Sequence, residues 1–301
     1  MLSVIILSFN RCDLLRATLR EVELQGLLAS AEVIVVDNGS TDGSPVMVAN
    51  EFPRARLIKL QVNSGVAGYN RGAEAASGDI LLLLDDDSWP DAAGLRSALT
   101  LMQDMPGVGG VALLPRHPRT KESEWRHGNS PQGLWPCMGC GNLVRRAAWE
   151  QVGGYEEKFF LYRNDTDLAL KLLGAGHDVR FDPAWTVWHD SPAAERKSER
   201  WLMDATRNWA WLARRHGKGV WRVLGLLAGI AWAMKHAGLN VKRQWCVSRG
   251  GLTGILSPAP ALKPACHSNG AGFQRLVKLQ VSAIRRRRQK DSGVPGVARR
   301  T

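Results

Sequence analysis

Three consecutive carboxylates, Asp85, Asp86 and Asp87, follow directly on the aliphatic run LLLL. Acidic side chains at the end of a buried strand face solvent and can share a hard cation with other oxygen donors. Side chains alternate along an extended segment, so Asp85 and Asp87 are expected on one side and Asp86 on the other. The chemistry on offer is a divalent metal bridging one or both carboxylates to a diphosphate; the plain rival is a solvated turn ending at Pro90. A second cluster, DNGSTDGS, opens with Asp37 at the end of another aliphatic run, where its carboxylate can accept from a base or ribose donor. Within it Asn38 and Gly39 read as turn formers, and Ser40 and Asp42 as helix caps. A third, NSGVAGYNRG at 63–72, offers glycines for close approach of backbone to a ligand and Arg71 as a planar donor fork for a base or phosphate. None of these is a Walker sequence, and no G-x-G-x-x-G opens the helix after the first strand, which argues against a nicotinamide enzyme.

The elements that must position these residues are legible as an alternation. SVIIL, EVIVVDN, ARLIKL and DILLLLDDD are short aliphatic runs separated by amphipathic stretches, the first a helix from about Asp13 to Gln25. Continuous Val, Ile and Leu runs indicate strands buried on both faces and joined by helical crossovers, a parallel sheet. Ligands bind such sheets at the carboxyl ends of the strands, where Ser8 to Arg11, Asp37 to Asp42 and Asp85 to Asp87 fall. A second block, from about Cys137 to Asp190, reads as a core strand, a helix beginning after Asn164, and a strand near Asp178 to Trp188.

Composition supports a folded chain: of 301 residues, 45% are hydrophobic and 23% charged, which excludes wholesale disorder. The net charge of +12 is uneven, because residues 1–190 carry 18 basic and 24 acidic side chains (−6) and 191–301 carry 22 and 4 (+18). The basic part implies an anionic partner: nucleic acid, a phospholipid surface or a phosphorylated substrate. It contains Trp201, Trp209, Trp211, Trp221, Trp232 and Trp245 in helical stretches, an apolar run from Val223 to Met234 too short to span a bilayer, and a basic stretch ending in RRRRQK. No nucleic-acid recognition module accompanies the arginines, so no specific nucleic acid is expected. The amino terminus shows no basic leader, and its apolar run Val4 to Leu7 is strand-sized, which predicts a cytosolic protein. Five cysteines suit a reducing compartment, and Cys137 with Cys140 lacks the second pair that a structural zinc needs.

Several of these segments together resemble a known family. SVIILSFNR, IVVDNGSTDGS, NSGVAGYNRG and LLLLDDDSWP are similar to the successive nucleotide- and metal-binding motifs of the family 2 inverting, nucleotide-sugar-dependent glycosyltransferases of GT-A fold. The segment running from GCGNLVRR through FFLYRNDTDLALKLL to VWHD resembles that family's acceptor-side half. The resemblance covers about residues 1–190 and is closest to the bacterial branch containing rhamnosyl and related transferases of cell-surface polysaccharide. It implies an α/β GT-A-like nucleotide-binding fold with a mainly parallel or mixed sheet, catalytic over about 1–215. A basic, Trp-containing helical extension and tail would follow over 216–301.

Carried over residue by residue, the resemblance implies that Asp37 binds the pyrimidine base, and that Arg71, the backbone near Ser8 and Asn10, and Asp86 complete the donor site. Asp85 and Asp87 form the DXD-type metal site, His189 adds a ligand, and Mg²⁺ or Mn²⁺ is the expected ion. Asp165 is implied as the base that takes a proton from an acceptor hydroxyl. Asn164 departs from the family pattern, which usually has an acidic residue there. Asp167 is the rival base, but residues i and i+2 do not share a helix face, so only one enters the site. The plain reading of Asp165 is a helix cap. Gly139, Gly141 and Asn142 are candidates for a sugar pocket or equally for a tight structural turn, and Trp135 for stacking on an acceptor sugar or for core or interface packing. The expected activity is transfer of a hexose or deoxyhexose from a UDP- or dTDP-sugar to a bacterial envelope glycan or glycolipid, at the inner face of the cytoplasmic membrane. The alternative is a noncatalytic carbohydrate- or nucleotide-binding protein on the same fold.

Overall fold

The computed structural model describes residues 1–123, 140–190 and 198–291, with only backbone at 280 and from 282 onward. Trp135, Cys137 and Gly139 lie outside the described residues, as do the side chains of RRRRQK. The chain divides into two compact units. The first contains all eight strands and the first seven helices, together with residues 260–269.

In that unit β1 (Leu2–Ser8), β2 (Glu32–Asp37), β3 (Arg56–Lys59) and β4 (Ile80–Asp85) are the four aliphatic runs. The intervening helices are α1 (Cys12–Leu24), the short α2 (Leu27–Ser30), α3 (Ser44–Glu51) and α4 (Ala67–Ala75). β1 lies parallel to both β2 and β4, and β2 to β3, with Ser8 opposite Asp37 and Leu7 opposite Asp85. Three of the polar clusters therefore end up at one edge, as the crossover pattern requires. Val4 to Ile6, Val33 to Val36 and Leu81 to Leu84 are essentially fully buried.

Beyond β4 the sheet turns mixed. β5 (Ser88–Pro90), α5 (Ala92–Asp104) and β6 (Val108–Arg116) precede β7 (Asn142–Arg145), α6 (Arg146–Val152), α7 (Asn164–Gly174) and β8 (Asp178–His189). The order is β3-β2-β1-β4-β7-β6-β8-β5, with β7 antiparallel to β4 and β6, β8 parallel to β6, and β5 antiparallel to β8. The sequence pattern identified β7, β8 and the start of α7 but not β5, α5 or β6. Val108–Arg116 is buried along nearly its whole length, yet its VGGVALLPR has two glycines and a proline that obscure a strand signal.

The second unit is helical: α8 (Glu199–His216), α9 (Val220–Ala237), α10 (Val241–Leu256) and α11 (Gly270–Asp291). α8 packs against both α9 and α10, and α11 packs on α9. The fully buried Trp209 sits beside Phe273, with ring centroids 6.3 Å apart. Among the described residues no helix is long and apolar enough to cross a membrane.

Candidate active site

The carboxyl end of β4, the start of β7, the beginning of α4 and the first turn of α7 meet around a cavity of about 190 Å³. Tyr69, Asp85, Cys140, Asn142, Tyr155 and Asp165 line it. Asp165 is the second residue of α7 rather than its cap, which is Arg163. Its Oδ1 accepts from the Tyr155 hydroxyl at 2.5 Å and from Asn142 Nδ2 at 3.1 Å. Burial pushes its carboxyl up to about 7; the tyrosine hydrogen bond opposes that rise and the nearby Asp85 charge adds to it. Asp167, on the other side of the helix, is fully buried and sits 3.7 Å from the buried Lys171 ammonium, which donates to Gly154 O. The i and i+2 argument thus separates the two carboxylates as expected, Asp165 toward the cavity and Asp167 into a structural ion pair.

The loop before α7 is held in a costly shape. Phe160, Tyr162 and Arg163 all have positive φ, between 58° and 69°. Phe160 O accepts from Val66 N at 2.7 Å, tying this loop to the start of α4. Gly65 makes that approach feasible: its φ is +59°, and a Cβ there would lie 2.2 Å from Phe160 O. At Gly68 and Gly72 a Cβ would meet Leu7 and Ile5 at 2.3 and 2.4 Å. The glycines of NSGVAGYNRG therefore serve packing of α4 on β1 and closure of this loop.

The aspartate triplet also departs from simple alternation. Only Asp85 belongs to the strand; Asp86 and Asp87 form the turn into β5. Arg11 Nη1 consequently reaches both Asp86 Oδ1, at 3.2 Å, and Asp87 Oδ2, at 2.9 Å. Asp87 Oδ1 lies 3.2 Å from His189 Nε2. Burial works to raise Asp87, but His189 and Arg11 outweigh it and hold this carboxyl below the ordinary range. Burial raises Asp86 to about 6 against the Arg11 charge. Asp85 is raised by burial and by repulsion from Asp87, and its Oδ1 lies 2.7 Å from the Tyr69 hydroxyl. Tyr69 and Tyr155 stay protonated, pushed well above the usual phenol by burial and by the carboxylates they face. Ligand atoms of Asp85, Cys140 and His189 all lie within 4.8 Å of one another. That mixed set of a carboxylate, a thiol and an imidazole fits a divalent transition metal.

Asp37 is buried; its Oδ2 accepts from Ser40 N at 3.2 Å, while its buried Oδ1 has no hydrogen-bond partner. Ser8 is buried at the end of β1. Asn10, at φ +53°, accepts from Thr41 N at 2.7 Å and so ties the first strand-end loop to the second. Asp42 accepts from Cys12 N at 2.9 Å and Ser44 N at 3.0 Å, as a cap-like residue should. Asn38 accepts from Ser64 N and donates to Gly65 O, each at 3.0 Å, clamping the loop before α4. Arg71 is not brought to the cavity: its guanidinium pairs with Glu74, 3.0 Å away, on the exposed face of α4. Arg11, Tyr69, Cys140 and Tyr155 are site residues that motif reading missed. Arg11, Tyr69 and Cys140 stand inside segments whose motifs were read for other residues, and Tyr155 joins them only when the fold brings it to Asp165.

The family model described as "Glycosyl transferase family 2" matches residues 3–168. An N-acetylglucosaminyl-diphospho-decaprenol L-rhamnosyltransferase of Mycobacterium tuberculosis is 29% identical, with 67% of this chain and 79% of that protein covered. The succinoglycan biosynthesis protein ExoA of Rhizobium meliloti is 25% identical over 58% of this chain and 59% of its own. Among solved structures, the mannosyltransferase PcManGT of Pyrobaculum calidifontis, in complex with GDP-Man and Mn²⁺, superposes with a TM-score of 0.59 at 19% identity, covering 96% of this chain and 86% of that one.

Proposed function

The chain belongs to glycosyl transferase family 2, and from that premise we propose that it transfers a sugar, with inversion, from a UDP- or dTDP-linked donor to a hydroxyl of a lipid-carried bacterial envelope glycan. The observation that carries this reading is Asp165: a cavity-lining carboxyl raised to about 7, whose two hydrogen bonds both fall on Oδ1. Oδ2 is left to take the acceptor proton as the hydroxyl oxygen bonds to the anomeric carbon and the diphosphate departs with the bonding pair. Tyr155 and Asn142 hold the carboxyl in place. A single displacement inverts the anomeric centre and needs no covalent sugar–enzyme intermediate.

On the donor side, the orphan Oδ1 of Asp37 suits an N–H of a pyrimidine base. Asn10 and Ser8 shape the loop edge beside it, and Arg11 fixes the Asp86–Asp87 turn. Asp85 and His189, with Cys140 within reach and Asp87 beside His189, would hold Mn²⁺ or Mg²⁺, and the ion would supply positive charge against the diphosphate. The rhamnosyltransferase relative supports a lipid diphosphate acceptor, hence work at a membrane surface.

Substitution of the base tests this assignment. Asp165→Asn should lower transfer by about 10² to 10⁴ while leaving donor affinity, read by calorimetry with the nucleoside diphosphate, nearly unchanged. A folded Asp165→Asn enzyme with normal turnover would remove Asp165 from the reaction.

A further inference from the structure

The second unit carries its large apolar side chains on the outside. On α9 the exposed apolar positions are Val220, Val223, Leu224, Leu227, Ala231 and Met234, which recur at i, i+3, i+4, i+7, i+11 and i+14 and so form one continuous stripe. The opposite, buried face is made of Gly225, Ala228, Gly229, Ala233 and Ala237. Trp209 fixes which face turns inward: a Cβ at Gly229 would lie 1.8 Å from its ring, and its Nε1 donates to Gly225 O at 2.5 Å. The helix is thus the inverse of an ordinary surface helix, and only its small side can pack on α8.

α10 repeats the pattern. Val247, Gly250, Gly251 and Gly254 are buried, whereas Val241, Trp245, Leu252, Ile255 and Leu256 are exposed. Leu239, in the turn joining the two helices, is 97% exposed. Apolar exposure of this extent on a monomer marks an interaction surface. Neither α9 nor α10 contains an acidic residue, while Arg222, Lys242 and Arg249 are exposed on them.

We propose that the outward faces of α9 and α10, with the Leu239 turn, form a docking surface for an anionic phospholipid bilayer. The apolar side chains enter the headgroup and acyl boundary, and the flanking cations meet lipid phosphates. Charge selects this occupant over a second copy of the chain, since residues 191–301 carry 22 basic and 4 acidic side chains and would repel their like. The proposal deepens the reading of a membrane-carried acceptor and rests on it for its purpose, though not for its measurement.

The test uses the full chain, sedimented with vesicles of phosphatidylcholine alone or mixed with phosphatidylglycerol. The expected result is binding to the mixed vesicles, weakened at least about 10-fold by Leu227→Gln with Trp245→Gln and weakened by Arg222→Gln with Lys242→Gln or by high salt. Val62→Gln, an exposed apolar site in the first unit, should change nothing. Unchanged binding by the Leu227/Trp245 variant, with its circular dichroism intact, would overturn the proposal. So would a concentration-dependent dimer in sedimentation velocity that the same variant abolishes, since a second copy would then cover this face. Turnover of a water-soluble acceptor, measured in parallel, reports on the enzymatic reading separately: the docking variants should retain it, and its absence in the parent would count against the activity and not against the surface.

Discussion

At the scale of single residues, the account turns on a carboxyl whose ionisation is costly. Asp165 titrates near 7 in the folded protein against about 4 in an unfolded chain. As a base it works only when ionised, so kcat/KM should rise with pH to a plateau above about 7, and a flat profile from pH 5.5 to 8.5 would remove the base from the rate law. Stability runs the other way. A raised folded value contributes stability that is fully present below about 4 and lost as pH rises through about 7. Asp165→Asn accepts the same two hydrogen bonds without the charge. At pH 8.5 in chelator it should therefore be more stable than the parent, by an amount on the order of 2–4 kcal/mol, and equal to it at pH 4. Asp167→Asn removes the carboxylate charge 3.7 Å from the buried Lys171 ammonium and should be destabilising by about 3 kcal/mol. Chemical denaturation at the two pH values reads both signs. Asp165 and Asp85 were identified from motifs, whereas Tyr155 and Arg11 were not, because a buried phenol or a salt-bridged arginine becomes part of a site only through contacts between residues far apart in sequence.

At the scale of elements, the parallel half of the sheet was legible because its strands are unbroken aliphatic runs separated by amphipathic helices. The antiparallel half was less so, since β6 contains glycine and proline and β5 has only three residues. The alternation expected for the three aspartates failed for a similar reason: the chain turns after Asp85, and Arg11 then gathers Asp86 with Asp87. The glycines of NSGVAGYNRG were visible as a motif, but their packing depends on β1, for Gly68 and Gly72, and on Phe160, for Gly65, which are distant in sequence. That coupling gives a prediction. Gly65→Ala puts a Cβ against Phe160 O in a left-handed conformation, so it should cost about 2–3 kcal/mol and impair transfer by disturbing the loop that leads to Asp165. Gly26→Ala has a similar φ but open space around it, so it should cost only about 1 kcal/mol and leave activity intact. Thermal melts and initial rates on the two variants separate local strain from loss of the loop.

At the scale of the whole molecule, residues 1–190 carry a net charge of −6 and 191–301 of +18, and α8 (Glu199–His216) groups with the helical unit and not with the sheet, where an expected boundary near 215 would have placed it. What composition could not announce is that the helical unit turns glycine and alanine inward and leucine, valine and tryptophan outward. That follows from Trp209 occupying the space beside Gly225 and Gly229. The central claim is sugar transfer with inversion at a metal-assisted site. It is tested most directly by incubating the purified protein with UDP- and dTDP-sugars, Mn²⁺ and a polyprenyl-diphosphate-linked acceptor, and by determining the anomeric configuration of the product by NMR. The account predicts acceptor-dependent release of nucleoside diphosphate, abolished by chelator and restored by Mn²⁺ or Mg²⁺, with the new linkage opposite in configuration to the donor. A product that retains the donor configuration, or full turnover in excess chelator, would contradict it.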